Sequence, residues 1–177
     1  MRPVAIQEAC AIFARARRNV DTIDELPAHC RPQDIDEAYE IQKAFIQQWP
    51  DDVVGWKVGA TNLSALALFG AEEPFLGPIF AQTVFESPVK LASTRFQHYC
   101  LESEFAFRIG SPPPGRAELY GHDELLGAVS EVVPALELIC PRSNGIPKGD
   151  GAAAIADCGV GGGLVLGRPV RVPSSID

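Results

Sequence analysis

The chain has 177 residues, 46% of them of hydrophobic type, and its 15 basic and 23 acidic side chains give a formal net charge of −8. At this length folding buries roughly 70% of the unfolded surface, so a core forms without disulfide or metal staples. An acidic chain without a Lys/Arg cluster is poorly matched to a phosphate backbone, which argues against nucleic acid. No apolar run approaches the roughly 20 residues of a bilayer span, and the N-terminus lacks a basic-then-apolar signal pattern, so no membrane partner and a cytoplasmic location are expected. Cys10, Cys30, Cys100, Cys140 and Cys158 are odd in number and contain no C-x-x-C pair, which predicts free thiols.

Ala5, Ala9, Ile12, Phe13 and Ala16 recur at helical spacing, and Asp34 with Glu37 forms a capping box ahead of Ile35, Ala38, Ile41 and Phe45. Pro27 and Pro32 break the chain between these helices. From Val53 the period becomes two: Val54, Trp56 and Val58 share one face, and Val53, Gly55, Lys57 and Gly59 share the other. Thr61 or Asn62 caps a short helix that runs through Phe69 and stops at Gly70, and Pro74, Gly77, Pro78 and Pro88 then punctuate a stretch of short strands and turns. His98 to Ile109 is the clearest strand, with Tyr99, Leu101, Phe105, Phe107 and Ile109 on one face and His98, Cys100, Glu102, Glu104 and Arg108 on the other. A helix over 123–130, a strand over 132–139 started by its proline, a polar loop over 142–151, a small-residue helix over 152–157 and a Gly-rich strand over 161–167 complete the reading. No internal repeat or linker divides the chain, which predicts one domain over 1–177, helical over 1–50 and β-rich over 51–177, of the α+β class.

Glu102 and Glu104 stand two apart on a strand, about 6.6 Å by strand rise, where their repulsion at an effective dielectric near 20 is about 2.5 kcal/mol. A cation between them reverses that sign. Glu137 lies between Leu136 and Leu138 in an apolar strand, and a buried carboxylate must be protonated, paired or metal-bound. Three such carboxylates suggest a hard-metal site that favours Mg²⁺ or Mn²⁺ over zinc, and three protein ligands of an octahedron leave positions for water or substrate. Spacing alone also fits a solvated strand face for Glu102 and Glu104, a solvent-facing Lys57, and an exposed, hydrogen-bonded His98. The glycines at 159, 161, 162 and 163 do not complete a G-x-G-x-x-G, because Leu164 occupies the last position, and no G-K-[ST] occurs, which excludes a dinucleotide or P-loop site.

Gly55-Trp56-Lys57-Val58-Gly59-Ala60-Thr61, Pro74-Phe75-Leu76-Gly77-Pro78, Leu101-Glu102-Ser103-Glu104-Phe105-Ala106-Phe107, Pro134-Ala135-Leu136-Glu137-Leu138 and Ile155-Ala156-Asp157 follow one another in an order that resembles the 2-keto-4-pentenoate hydratase family of the fumarylacetoacetate hydrolase superfamily. The resemblance covers essentially the whole chain. It implies a mixed, bent β-roll with peripheral helices, assembly as a homo-oligomer, and Glu102, Glu104 and Glu137 as ligands of a Mg²⁺ or Mn²⁺ ion. It also implies a catalytic and substrate-binding Lys57, with Phe75 in the substrate-binding position where many hydratases carry an acid.

The implied reaction is addition of water to a 2-hydroxy-2,4-dienoate, giving a 4-hydroxy-2-oxo acid, with a small 2-oxo or 2-hydroxydienoic acid as partner. A 4-oxalocrotonate-type decarboxylase belongs to the same family and is the alternative enzyme. Family members continue for several strands beyond the position of Asp177, so the resemblance also implies a C-terminally short roll. A catalytically inactive accessory protein that retains the metal site is therefore a third reading.

Overall fold

The computed structural model describes residues 1–171. The first helix, α1 (Pro3–Asn19), begins with a proline in its first turn, where a missing N–H costs nothing, and ends at Val20 in a left-handed conformation whose N–H returns to the Ala16 carbonyl. Helix α2 (Ile35–Gln48) starts at Asp34, whose carboxylate accepts the Glu37 N–H at 2.8 Å. The stripe Ala5, Ala9 and Phe13 of α1, small at its first two positions, meets Ala38, Ile41 and Phe45 of α2 in one buried cluster. Small residues on α1 allow the close approach.

A two-stranded antiparallel sheet follows, made of β1 (Val53–Gly59) and β2 (Phe75–Phe80), with Lys57 opposite Gly77. Between them lies α3 (Leu63–Phe69), capped by Asn62 rather than Thr61: the Asn62 side chain accepts the Ala65 N–H at 3.0 Å, and Gly70 closes the helix in the left-handed region. The larger sheet has the order β3 (Val84–Glu86), β6 (Gly161–Leu166), β5 (Val129–Ile139), β4 (Cys100–Ile109), with β7 (Val170–Arg171) paired to the start of β5. Only the β3–β6 pair is parallel among these. Two short helices, α4 (His122–Ala128) and α5 (Gly151–Ala156), complete the described elements, α5 being capped by Asp150 through the Ala153 N–H. The result is a mixed α+β fold. Among the described residues no helix is long and apolar enough to cross a membrane, and all five cysteines are free.

Several boundaries differ from the sequence reading, most by one residue and three by more. The strand expected from His98 begins at Cys100, because His98 adopts φ +41°, which an extended ladder does not accommodate. The helix expected over 123–130 stops at Ala128, and the strand expected from 132 starts at Val129, where Val129 pairs with Ile109 and Glu131 with Arg108 to gain ladder bonds and an ion pair. Pro134 lies inside β5 instead of starting it. Its carbonyl accepts the Gly167 N–H at 2.8 Å, between the β7 and β6 pairings, so its missing donor falls on the side where the neighbouring strand changes. The end of the β-rich part, residues 172–177, lies outside the described residues.

Candidate active site

Antiparallel pairing of β4 with β5 sets Glu102 directly opposite Glu137, and the two-residue period returns Glu104 to the same face. One carboxylate oxygen of each lies within 4.8 Å of the others. Glu137 is 7% exposed, whereas Glu102 and Glu104 are open to solvent. That exposure is what a solvated strand face would give, but their convergence on a buried third carboxylate is not. His98 stands just outside the strand in its left-handed turn.

Lys57 comes from the other sheet. Gly55 and Gly59 leave room on its face of β1, and that face points inward while Val54, Trp56 and Val58 point out. Its ammonium donates to the Gly159 carbonyl at 2.9 Å and meets Glu137 Oε1 at 3.1 Å, with the side chains of both charged residues 9% exposed. The solvent-facing alternative for Lys57 is thereby removed. Burial, partly offset by Lys57 and reinforced by Glu102 and Glu104, holds the Glu137 carboxyl above the ordinary range. Burial first, then the charges of Glu102 and Glu137, pushes up the neighbouring Cys100 thiol. These groups form a negative field in which Lys57 is the cation in direct contact with Glu137, with Arg17 lining the same cavity. An all-carboxylate donor set with a charge deficit of this kind fits a hard divalent cation.

The turn that receives Lys57 is the part sequence reasoning missed. Cys158, Gly159 and Val160 have φ of 54°, 66° and 54°, so three successive residues, one of them β-branched, occupy the left-handed region. Gly77 of β2 lies so close that a Cβ there would meet the Cys158 carbonyl oxygen at 2.6 Å. This contact presses the β1–β2 ribbon, and with it Lys57, onto the turn. Beyond it, Arg142 donates through Nε to Asp157 Oδ1 at 2.7 Å and through its terminal nitrogens to the Gly161 carbonyl at 2.7 and 3.0 Å. Arg17 of α1 reaches the same carbonyl at 3.1 Å. The density of glycines after Asp157 was the available signal, and its meaning is close backbone approach rather than nucleotide binding.

Phe75 is placed differently from the other four residues. It is 3% exposed, its ring meets Phe69 edge-on at 5.2 Å and fills the space over Gly59. It does not line the cavity of about 20 Å³ that Lys57 and Glu137 share with Arg17 and Phe80. That cavity has room for about one water molecule. Phe75 thus packs in the core on the same face of the β1–β2 ribbon as Lys57, two pairs further along.

The fold is similar to that of the 4-oxalocrotonate decarboxylase of Pseudomonas putida G7, a structure solved with magnesium and adipate, with a TM-score of 0.85 over 97% of this chain and 65% of that one. At 19% identity the likeness establishes the fold. In sequence the chain is 28% identical over 180 residues to 2-keto-4-pentenoate hydratase 1 of Dechloromonas aromatica, covering 98% of this chain and 66% of that protein. It is 29% identical over 145 residues to the 2-keto-4-pentenoate hydratase of Paraburkholderia xenovorans, covering 80% of this chain and 53% of that protein. No family model matches the chain. The similarity to 2-keto-4-pentenoate hydratases that the motifs carry therefore extends over most of the chain, which itself spans between half and two thirds of the length of these relatives.

Proposed function

We propose that this chain carries the metal-binding and lysine part of a hydro-lyase site that adds water to a 2-hydroxy-2,4-dienoate and yields a 4-hydroxy-2-oxo acid. The observation that carries the reading is the meeting of Glu102, Glu104 and Glu137 with Lys57 at one point between two sheets. Glu102, Glu104 and Glu137 would hold Mg²⁺ or Mn²⁺. The bound ion would supply Lewis acidity to the substrate's carboxylate and C2 oxygens. Lys57 has three N–H donors and uses two, on Gly159 and Glu137, which leaves one for an incoming carboxylate. Its charge offsets the repulsion between a site of three glutamates and an anionic acid, and its position on Glu137 suits it to pass a proton toward the dienol. Phe75, on the Lys57 face of the β1–β2 ribbon two pairs along, would form an apolar wall on the substrate-binding side.

The same reading makes the whole molecule a single domain, helical over 1–50 and β-rich over 51–177, built on a bent β-roll, cytoplasmic and homo-oligomeric. Decarboxylation of a 4-oxalocrotonate-like acid is the second reading, favoured by the structural match to a decarboxylase. Assay with a 2-hydroxydienoate and with a 4-oxalocrotonate-type acid, each with Mg²⁺ or Mn²⁺, separates them. A 4-hydroxy-2-oxo product supports hydration, carbon dioxide release supports decarboxylation, and no turnover with either overturns both in favour of an inactive accessory protein. Binding of oxalate, a planar chelating mimic of a 2-oxo acid, gives a further check. Lys57→Ala with metal saturating is expected to bind oxalate at least about tenfold more weakly, the worth of one charge-assisted hydrogen bond. Equal affinity would remove Lys57 from the substrate site.

A further inference from the structure

A second group of metal-ligating side chains lies far from the carboxylate site in sequence, where α1 meets the loop that leads to α2. Glu8, on the outer face of α1, holds His29 through Oε2 and Nε2 at 2.8 Å, and His29 is followed at once by the buried Cys30. One carboxylate oxygen, one ring nitrogen and the Cys30 sulfur all lie within 4.8 Å of one another. Ligand atoms of a tetrahedral zinc site, with bonds of ~2.0–2.3 Å, stand about 3.3–3.8 Å apart, so three atoms already within 4.8 Å of one another come into reach of one ion through side-chain adjustment. The loop is already braced: the Cys30 N–H donates to the Pro27 carbonyl at 2.9 Å, and Arg31 donates to the Leu26 carbonyl at 3.0 Å. Donors of three kinds, oxygen, nitrogen and sulfur, suit a borderline ion of the zinc type and not the hard cation that suits an all-carboxylate site.

We infer that Glu8, His29 and Cys30 form a second metal site, selective for Zn²⁺-type ions, with water in the fourth position. Such an ion pins the 27–32 loop to α1. It is distinct from the carboxylate site in ligand chemistry and does not depend on the proposed reaction.

Cobalt(II) serves as the probe, because a thiolate ligand gives a charge-transfer absorption that oxygen ligands do not. Titration of the reduced protein is expected to produce that absorption, and Zn²⁺ to displace it. Glu8→Gln and His29→Ala change solvent-exposed side chains, so both variants should fold, and each is expected to weaken Co²⁺ binding at least about tenfold, since loss of supporting partners alone costs that much at metal sites. Cys30→Ser should abolish the absorption, while Glu102→Gln with Glu104→Gln should leave it unchanged. Absence of the band at saturating Co²⁺ overturns the site. So does a band that survives Cys30→Ser, which places the ion on another thiol, or unchanged affinity in His29→Ala, which removes His29 from the ligand set.

Discussion

Glu137 carries the sharpest consequence at the scale of single residues. Burial raises its pKa above the ordinary carboxylate value, and Glu102 and Glu104 add to the effect against Lys57. In chelator-treated protein the native state therefore binds this proton more tightly than the unfolded chain does. The stability from Glu137 is complete below the ordinary carboxylate pKa and is lost as pH rises through the elevated native value. Thermal unfolding of Glu137→Gln beside wild type in chelator should show the difference growing in favour of the variant over that window. A constant difference would mean that Glu137 titrates normally. Saturating Mg²⁺ should reverse the wild-type trend, because the ion binds the deprotonated carboxylate, and should have no such effect on the variant. The sequence marked Glu137 as exceptional because it interrupts an apolar strand, and marked Glu102 and Glu104 by spacing. It could not reveal the Gly159 carbonyl that fixes Lys57, since a backbone acceptor leaves no trace in residue identity.

Among the elements, the short connection from α5 into β6 concentrates the most order. Asp157 closes α5 and binds Arg142 from the end of β5, through both its side chain and the Arg142 backbone N–H at 2.7 Å, with both residues buried. Removing one member of a buried ion pair strands the other charge, a loss of about 3–5 kcal/mol. Asp157→Ala should cost that much in urea unfolding, and Arg142→Met combined with Asp157→Leu should recover a large part. A single-variant loss below about 1 kcal/mol would show the pair to be incidental. Elements with strong period or caps were legible here, including α1, α2, β1, β4 and β6. The α4–β5 boundary was not, because the helix and the strand share one residue junction and only pairing with β4 decides where extension begins. The face of β1 was legible as a division but not as an orientation: its valines and tryptophan look like the buried side, yet it is the lysine side that faces in.

At the scale of the whole molecule, that inversion leaves apolar surface uncovered. Val54, Trp56, Val58 and Leu76 are 59%, 52%, 53% and 43% exposed on the small sheet, and Leu101, Phe105, Phe107 and Leu136 are 57%, 73%, 60% and 42% exposed on the large one. Contiguous apolar faces of this kind mark association surfaces, and β4 is also an edge with unpaired backbone groups. The isolated 177-residue chain is expected to self-associate, with a mass that rises with concentration in analytical ultracentrifugation. Phe105→Lys with Phe107→Glu should shift it toward monomer, and a wild-type monomer at all concentrations would count against a homo-oligomer.

The tie between α1 and the Gly161 carbonyl spans 144 positions of the chain, and the one from Gln42 to the Ile155 carbonyl spans 113. Contacts that distant set the pace of folding, because the entropy of closing the long loop is lost before any of its bonds is gained. During synthesis α1 and α2 can pack on one another early, but the surfaces they turn to Ile155 and Gly161 stay uncovered until those residues emerge. Lys57, held by Gly159, waits with them. The contact between Lys57 and Gly159 thus forms after the helices, and the nascent helices offer a chaperone time to act.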